Sequence, residues 1–456
     1  MSTAQALIDT VLDPGSFVSW DQPADLDPSY REQLLKAAER SGADEAVLTG
    51  RGLVQGRPVA VLVSEFAFLA GSIGRVAAER ITAAVRRATA ERLPIVASTA
   101  SGGTRMQEGA PAFLEMITIS KALMDHKAAG LPYLVHLRHP TTGGVFASWG
   151  SLGHVTVAEP GALIGFLGPK VYEALQGEPF PAGVQTAENL AAHGVIDGVV
   201  ETADLPFLLD RALGVLVDPP VAPALPRRTG SIGRVDAWDS VLRTRQADRA
   251  GVRELLRYGC CGTVRLTEPD ASVLVALTRL DGQPCVLVGQ DRSQVKPMGP
   301  AALRQARRGM NLAAALGLPL VTVIDTPGAE LSADAEEGGL AGEIAQCIAT
   351  MATLPVPTLS VLLGQGTGGG ALALLPATTV LAVEHAWLAP LPPEGASAIM
   401  HRDTAHAPQL AAAQRITAAD LQAAGTVHQV IPEPDSDTAE SLCQAVAAEC
   451  AARLSR

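Results

Sequence analysis

The sequence has little aromatic content and no excess of positive charge. Phe, Trp and Tyr make up 4% of its 456 residues, so aliphatic side chains must fill the core. The formal net charge is −12, which argues against general binding to nucleic acid or to anionic membranes. A phosphate-bearing small molecule remains compatible with this charge, because a few local arginines are enough to hold it.

Cysteine is also scarce and is confined to the second half of the chain. None of the six cysteines forms a Cys-x-x-Cys pair, and none precedes Cys260. A zinc ribbon therefore cannot form in the first half, and we predict no metal site. His136 and His139 have a spacing seen in metal ligands, but we interpret them as satisfied or solvated side chains. Unpaired thiols indicate a reducing compartment.

Long apolar runs are missing, as is a basic stretch followed by an apolar core near the first residue. Glycine and proline interrupt the apolar segments well before the roughly 20 residues that a membrane helix needs. We therefore expect no signal peptide, no membrane contact and a cytoplasmic location.

Two familiar catalytic motifs are absent as well. The segment 325–328, Asp-Thr-Pro-Gly, is similar to the Asp-x-x-Gly of nucleotide hydrolases, but no Gly-x-x-x-x-Gly-Lys phosphate loop accompanies it. No Gly-x-Ser-x-Gly elbow occurs, which counts against a serine hydrolase.

The sequence contains an internal repeat. Three short motifs recur in the same order at a spacing of about 226 residues. The matches are Gly56-Arg-Pro58 with Gly282-Gln-Pro284, Leu93-Pro94 with Leu318-Pro319, and Gly143-Gly144 with Gly369-Gly370. The repeat predicts two tandem domains, 1–225 and 226–456, with a proline-rich linker at 217–230. Alternating strands and helices predict α/β domains with parallel sheets and right-handed crossovers.

Several helices follow from the apolar periodicity. The pattern predicts a helix over 75–92 in the first copy and its counterpart over 301–316 in the second. The residues expected on the buried faces are Ala77, Ile81, Ala84 and Ala88, and Leu303, Ala306, Met310 and Ala313. A single amphipathic helix over 236–257, rich in arginine, is predicted before the second copy.

Two glycine stretches are the candidate chemical centres. Gly366–Ala371 follows the apolar run 358–363 and precedes 372–375, which we expect to form the first turn of a helix. Thr142–Val145 follows another apolar run, 131–136. Glycine lets a ligand approach the main chain, and a helix start leaves N–H groups without partners. The sequence therefore predicts two oxyanion sites, which we expect to face each other.

Further motifs accompany these stretches. They are Ser101-Gly102-Gly103-Thr104-Arg105-Met106-Gln107-Glu108 in the first copy and Pro392-Pro393-Glu394-Gly395-Ala396-Ser397 in the second. From about Ala46 to Pro434 the chain resembles the carboxyltransferase component of bacterial acetyl-CoA carboxylase. The first copy is similar to its β subunit and the second to its α subunit, fused in one chain.

The resemblance implies a fold, a reaction and partners. It implies two crotonase-like ββα-spiral domains and transfer of CO2 from carboxybiotin to an acyl-CoA, with acetyl-CoA as the default acceptor and malonyl-CoA as product. Biotin would arrive on a separate biotin carboxyl carrier protein loaded by a biotin carboxylase, because the chain has no Met-Lys-Met biotinylation site. A homodimer or larger homo-oligomer is expected, in which the acyl-CoA domain of one protomer faces the biotin domain of another.

The resemblance also assigns residues. The amides of Gly143 and Gly144 would hold the thioester oxygen, and those of Gly369 and Gly370 the biotin oxygen, with no side-chain base required. Arg105 and Glu108 would fix their loop through an ion pair. The remaining substrate-binding candidates are Gly102, Gly103, Arg105, Gly165, Phe166, Gly168, Gly328 and Gly395. The candidate partners for the CoA phosphates are Arg75, Arg80, Arg86, Arg87 and Lys170.

Two alternatives remain open at this point. Biotin-independent malonate decarboxylases use paired β and γ subunits of the same fold on a malonyl-carrier-protein thioester, and the absence of a zinc ribbon suits them. The other alternative is a non-enzymatic scaffold of a carboxylase complex. The intact Arg105–Glu108 and Pro392–Ser397 runs favour the carboxyltransferase.

Overall fold

The computed structural model describes residues 2–25, 27–228, 230, 232–233, 235–294 and 298–455. The chain divides into two compact units, Met1–Leu213 (unit 1) and Gly214–Arg456 (unit 2). The division falls within the helix Leu205–Leu216, before the proline-rich segment in which the sequence places the boundary. That segment is extended and is held to unit 2, where Arg279 donates to the carbonyl oxygens of Asp218 and Pro219.

Unit 1 contains eight strands, eight α-helices and three short 3-10 helices among the described residues. The strands are β1 Val18–Ser19, β2 Val47–Val54, β3 Arg57–Ser64, β4 Ile95–Ser101, β5 Tyr133–Thr142, β6 Val155–Ala158, β7 Ile164–Gly165 and β8 Gly198–Val199. The helices are α1 Ala4–Val11, α2 Arg31–Ser41, α3 Arg75–Ala90, α4 Gly109–Ala128, α5 Gly143–Phe146, α6 Pro169–Gln176, α7 Ala187–Ala192 and α8 Leu205–Leu216.

The sheet of unit 1 runs in the order β1-β2-β3-β4-β5-β6-β8, with β7 also paired to β5. The predicted buried face of α3 is confirmed, because Ala77, Ile81, Ala84 and Ala88 are at most 3% exposed and pack in the core. The α3 helix begins where the Glu108 carboxylate accepts the Arg75 N–H at 2.6 Å. An anionic group at this position satisfies an otherwise unpartnered amide and suits the helix dipole.

Unit 2 contains a second sheet and its helices. The strands are β9 Cys260–Arg265, β10 Val273–Leu280, β11 Gln283–Gln290, β12 Leu320–Thr326, β13 Thr358–Thr367, β14 Thr379–Val383, β15 Trp387–Ala389 and β16 Gln429–Ile431. The helices are α9 Ala237–Thr244, α10 Val252–Gly259, α11 Pro300–Leu316, α12 Ala333–Glu337, α13 Leu340–Thr353, α14 Gly368–Leu372, α15 Pro393–His401, α16 Ala407–Ala413, α17 Ala418–Ala423 and α18 Ala439–Leu454.

The two sheets have the same plan, as the repeat predicts. Unit 2 has the order β16-β14-β13-β12-β11-β10-β9, with β15 paired to β13. Four predicted core residues of α11, Leu303, Ala306, Met310 and Ala313, are fully buried. The expectation of purely parallel sheets is wrong, because β2–β3 and β10–β11 are antiparallel hairpins that precede the parallel strands. Each hairpin closes through a short turn, which an antiparallel pair permits and a parallel pair does not.

The arginine-rich segment before unit 2's sheet is two helices, α9 and α10, not the single predicted helix over 236–257. The Asp236 carboxylate caps α9 by accepting from the N–H groups of Trp238 and Asp239. The α9 helix ends where Arg292 donates to the Thr244 carbonyl oxygen at 2.6 Å. The α10 helix begins at Val252, and its start is capped by the Glu254 carboxylate, which accepts the Gly251 N–H. The hydrogen bonds at the end of α9 and at the start of α10 therefore divide a segment whose apolar pattern is continuous.

No helix in the described ranges is both long enough and apolar enough to cross a membrane.

Candidate active site

The first glycine turn lies where β5 ends at Thr142 and α5 begins at Gly143. Gly143 has a φ of 60°, a left-handed conformation that suits glycine. Gly143 and Gly144 are half-buried, so a ligand can reach them. The Gly143 N–H donates to the Phe166 carbonyl oxygen at 3.1 Å and is therefore not free for a substrate oxygen. The Gly144 N–H, in the first turn, has no carbonyl oxygen within its own helix to bond.

A second loop of unit 1 meets this turn. A Cβ placed on Gly103, whose φ is 107°, would lie 3.5 Å from the Gly143 Cα and 3.7 Å from the Gly144 nitrogen. The Gly103 N–H donates to the Ser101 hydroxyl at 3.0 Å, and the Gly102 N–H donates to the Ala70 carbonyl oxygen at 2.9 Å. Both of these N–H groups are therefore used in hydrogen bonds within the protein. The backbones of Gly103 and Gly144 lie close together.

Arg105 supports this loop from within the protein. The guanidinium is 1% exposed, lies 3.5 Å from Glu108 as predicted, and has a closer carboxylate partner in Glu45. Burial by itself lowers the pKa of Arg105, but the paired Glu45 carboxylate outweighs it, and the net pKa is raised. The Arg105 side chain is almost fully buried and bonded to carboxylates, and its contact with the substrate stays a prediction. Sequence reasoning missed Glu45, which no local motif connects to the loop.

The predicted wall for the acyl-CoA arm is only partly exposed. Phe166 is 61% exposed and Gly168 is half-buried beside it. Gly165 is buried in β7, and a Cβ there would lie 2.4 Å from the Gln185 side-chain nitrogen. The absence of a side chain at Gly165 therefore leaves room for Gln185, and a contact of Gly165 with the substrate stays a prediction.

The second glycine turn repeats the first in unit 2. Thr367 ends β13 and pairs with Ala389 of β15, as Thr142 ends β5 and pairs with Gly165 of β7. The α14 helix begins at Gly368, whose φ is 61°, and not at 372–375 as predicted. Gly368 is thus the structural counterpart of Gly143.

The predicted match of Gly143-Gly144 with Gly369-Gly370 is therefore shifted by one residue. A run of three glycines makes such a shift invisible in the sequence. Gly368 and Gly369 are half-buried, like their counterparts in unit 1, whereas Gly370 is buried. The Gly370 carbonyl oxygen accepts from Gln290 Nε2 at 2.8 Å, which fixes the helix to β11.

The loop after β12 lies against this turn. Gly328 has a φ of 134°, its N–H donates to the Thr326 hydroxyl at 3.1 Å, and a Cβ on Gly370 would lie 3.6 Å from the Gly328 carbonyl carbon. The Asp325 carboxylate accepts the Gln365 N–H at 3.0 Å. Burial raises the pKa of Asp325 to about 6, partly offset by Arg292.

Gly395 lies in the first turn of α15 and is half-buried. The neighbouring Glu394 forms a two-point ion pair with Arg245. The hydrogen bond from Arg245 lowers the pKa of Glu394. This pair ties the Pro392–Ser397 run to the segment after α9.

Most of the histidines and arginines named in the sequence analysis bond to other groups of the protein. His136 is buried 3.2 Å from the Ser98 hydroxyl, and burial lowers its pKa to about 3. His139 Nδ1 accepts the Leu163 N–H. Arg80 is buried and paired with Asp44 at 2.6 Å, so it is not available to CoA phosphates. The side chain of Lys170 lies outside the described residues.

Within the described part of the chain, no group of three His, Cys, Asp or Glu side chains is placed to hold a metal ion.

Comparison with known proteins identifies the family of this chain. The family profile described as "Carboxyl transferase domain" matches residues 2–440. The chain belongs to this family. A probable biotin-dependent acyl-coenzyme A carboxylase beta3 subunit of Mycobacterium tuberculosis is 59% identical over 98% of this chain and 94% of its own length. An acetyl-coenzyme A carboxylase carboxyl transferase subunits beta/alpha protein of Salinispora arenicola is 39% identical over 94% of this chain and 82% of its own length.

Solved structures agree with this carboxyl transferase fold. A crystal structure of transcarboxylase 12S, with methylmalonyl-coenzyme A and methylmalonic acid bound, gives a TM-score of 0.79 at 22% identity. It covers 99% of this chain and 90% of the other. A single-chain, multi-domain long-chain acyl-CoA carboxylase gives a TM-score of 0.77 at 20% identity, over 99% of this chain and 46% of the other. The predicted α/β fold, with tandem crotonase-like domains, is confirmed.

Proposed function

We propose that this chain is the carboxyltransferase subunit of a biotin-dependent acyl-CoA carboxylase. In this proposal it transfers CO2 from carboxybiotin on a separate carrier protein to a short acyl-CoA, with acetyl-CoA as the default acceptor and malonyl-CoA as product. The observation that carries the proposal is the 59% identity, across nearly the whole chain, to a relative named a probable biotin-dependent acyl-coenzyme A carboxylase subunit. Two equivalent glycine turns, one in each unit, support it.

Unit 1 is the proposed acyl-CoA domain, corresponding to the β subunit of the bacterial enzyme. The Gly144 amide, at the start of α5, would donate to the thioester oxygen as negative charge develops on it. One placed donor of this kind is commonly worth about 3–4 kcal/mol of transition-state stabilisation. The close packing of Gly103 on Gly143 would keep this donor in place.

Unit 2 is the proposed carboxybiotin domain, corresponding to the α subunit. The first-turn amides of Gly369 and Gly370 would donate to the ureido oxygen. Gln290 and the loop at Gly328 hold this turn from behind. Carrier-borne carboxybiotin supplies the CO2 and, after its loss, the ring nitrogen that accepts the α-proton of the acyl group. The residues of unit 2 suit a polar, uncharged ring, because the half-buried Gly369 gives it access to the main chain, whereas Gly370 is buried.

The proposed reaction needs further proteins. A biotin carboxyl carrier protein would bring the biotin and a biotin carboxylase would load it. We propose a homodimer or larger homo-oligomer, in which unit 1 of one protomer and unit 2 of another complete each site. Closed symmetric assemblies of this kind are the usual form of soluble homo-oligomers.

The proposal is tested with the purified chain and free biotin. Malonyl-CoA and methylmalonyl-CoA are each incubated with and without biotin, and the release of acetyl-CoA or propionyl-CoA is followed. We expect biotin-dependent release, and the faster of the two substrates identifies the acyl group. Release of CO2 from a malonyl-carrier protein in the absence of biotin, with no biotin-dependent reaction, would identify a malonate decarboxylase and refute the proposal.

A variant separates catalysis from a scaffold role. Gly369→Val adds a side chain whose Cβ lies 2.8 Å from the end of Ile344, at the proposed oxyanion turn. We expect it to abolish transfer while leaving binding of the carrier protein and biotin carboxylase unchanged. An unchanged transfer rate would contradict an enzymatic role for this turn.

A further inference from the structure

The second glycine turn contains three consecutive glycines, Gly368, Gly369 and Gly370. Glycine has the widest choice of backbone conformations, so a turn made of glycines loses the most conformational freedom when it is fixed. An oxyanion site needs N–H groups that are in place before the charge develops. This turn therefore depends on contacts from outside itself more than the first glycine turn does, because the third residue there is Val145.

One such contact comes from Gln290, the last residue of β11, which is 2% exposed. Its Nε2 donates to the Gly370 carbonyl oxygen at 2.8 Å, and its Oε1 accepts the Asp325 N–H at 3.1 Å. Since a carbonyl oxygen only accepts and an N–H only donates, the two partners fix the orientation of the side-chain amide. Gln290 thus joins α14 to the end of β12 through two hydrogen bonds of opposite sense.

Unit 1 holds the equivalent carbonyl oxygen in another way. Val145 is the third residue of α5, as Gly370 is of α14, and its carbonyl oxygen accepts the Gly150 N–H at 2.9 Å. Ser64 is the last residue of β3, as Gln290 is of β11, and its hydroxyl has no hydrogen-bond partner in the part of the chain that the structure describes. The first turn is therefore closed by the chain that follows it, and the second by a side chain from another strand.

We propose that Gln290 is a positioning residue for the second oxyanion turn and that it acts only as a neutral carboxamide. The inference rests on the proposed function, in which the Gly369 and Gly370 amides donate to the ureido oxygen. A carboxamide supplies a donor to Gly370 and an acceptor to Asp325 at the same time, whereas an ionised carboxylate only accepts and would repel the Gly370 carbonyl oxygen. Gln290 acts on the rate through the turn, and a misplacement of about 1 Å can lower a rate by about a hundredfold.

Gln290→Glu tests the requirement for a neutral group. When protonated, the introduced carboxyl group can both donate and accept, as the amide does. Burial raises the pKa of a carboxyl group, so the variant loses this proton at a higher pH than an exposed glutamate. In biotin-dependent release from malonyl-CoA, we expect a kcat close to that of the wild type at pH 5 and about tenfold to a hundredfold lower at pH 8. The KM for malonyl-CoA should be unchanged.

Two further variants separate the bridge from stability. Gln290→Met loses both hydrogen bonds and should be slow at both pH values. Gln283→Glu is the matched control, because Gln283 begins the same strand, is 5% exposed and donates to the Val221 carbonyl oxygen at 2.6 Å. We expect it to lose stability in thermal unfolding at pH 8, with no pH-dependent change in kcat relative to the wild type. The same pH-dependent loss of kcat in Gln283→Glu and Gln290→Glu would be a general effect of instability and would overturn the inference.

Hydrogen exchange follows the turn without catalysis. Peptides that cover residues 366–375 should exchange faster in Gln290→Glu than in the wild type at pH 8 and equally at pH 5, with no difference in Gln283→Glu. Equal exchange of this segment in Gln290→Glu and the wild type at pH 8, or a ratio of their kcat values that does not change with pH, would overturn the inference. If the wild type transfers no carboxyl group but exchange still depends on Gln290 in this way, the proposed function fails and the bridge that positions the turn remains.

Discussion

The guanidinium of Arg105 and the carboxylate of Glu45 form an ion pair with side chains only 1% and 2% exposed. The two residues are 60 positions apart, so the pair fixes the loop after β4 to the segment before β2. The Tyr30 hydroxyl and the Glu108 carboxylate extend the same cluster. Burial, followed by the bond to Glu108, raises the pKa of Tyr30 to about 12. The cluster explains why an arginine and a glutamate occur beside the first glycine turn.

Glu45→Gln tests this cluster. The substitution removes one charge and leaves the Arg105 guanidinium buried without its closest carboxylate. Breaking a buried pair in this way typically costs about 3–5 kcal/mol. We expect a loss of that size in chemical denaturation of the full chain. The control is Glu32→Gln, which removes the exposed ion pair of Glu32 with Lys36 and should change stability by less than about 1 kcal/mol. Similar losses in both variants would contradict a special role for the buried pair.

Gly71→Ala tests the close packing behind the same loop. Gly71 has a φ of 61° and a Cβ there would lie 2.1 Å from the Ala100 carbonyl oxygen. Overpacking of this kind costs about 1–3 kcal/mol, in addition to about 1–2 kcal/mol for the left-handed conformation. Gly109→Ala is a matched control, because its φ is 59° and no atom lies within 4 Å of the added Cβ. We expect thermal unfolding to show a larger loss for Gly71→Ala, and equal losses would exclude the clash.

The repeat and the core faces of the long helices were predictable because they rest on local periodicity. Ala77 and Ile81 on α3, like Leu303 and Met310 on α11, are buried as the helical spacing predicts. The antiparallel hairpins were not predicted, since a strand's partner and direction depend on contacts far along the chain. The break between α9 and α10 was also missed. It depends on Asp236, Glu254 and Arg292 as capping groups, whereas the apolar pattern continues across it.

The glycine turns were located from sequence, but their register was not. Gly368, Gly369 and Gly370 are indistinguishable in a sequence. The pairing of Thr367 with Ala389 and the φ of 61° at Gly368 show where the helix begins. Glu45 was missed for another reason. Its importance comes from its burial and from its ion pair with Arg105, neither of which a motif records.

Asp325→Asn tests the consequence of burying a carboxylate beside the second glycine turn. Burial raises the pKa of Asp325 from 3.8 to about 6. A raised pKa means that the folded protein holds the proton more tightly than the unfolded chain. The wild type therefore loses stability as the pH rises through about 6, by up to about 3 kcal/mol. The variant cannot ionise and should not show this loss. We expect it to gain stability over the wild type between pH 5 and pH 8 in thermal unfolding.

The control for this pH dependence is Asp9→Asn, at an exposed position of α1. It measures the effect of removing an exposed carboxylate at the same two pH values. A constant difference between Asp325→Asn and the wild type at both pH values would show that Asp325 does not titrate in this range.

Gly144→Pro removes the N–H group that the proposed mechanism directs at the thioester oxygen. Gly144 is the second residue of α5, and proline is tolerated in the first turn of a helix because that N–H has no partner within the helix. Loss of one oxyanion donor should lower kcat by about a hundredfold to a thousandfold. Gly144→Ala keeps the N–H and brings a Cβ 3.2 Å from the Thr104 hydroxyl, so we expect a much smaller loss. Glu440→Pro, at the second residue of α18, controls for proline at this helical position. If Gly144→Pro unfolds at the wild-type temperature and keeps the wild-type kcat, the Gly144 amide is not the oxyanion donor.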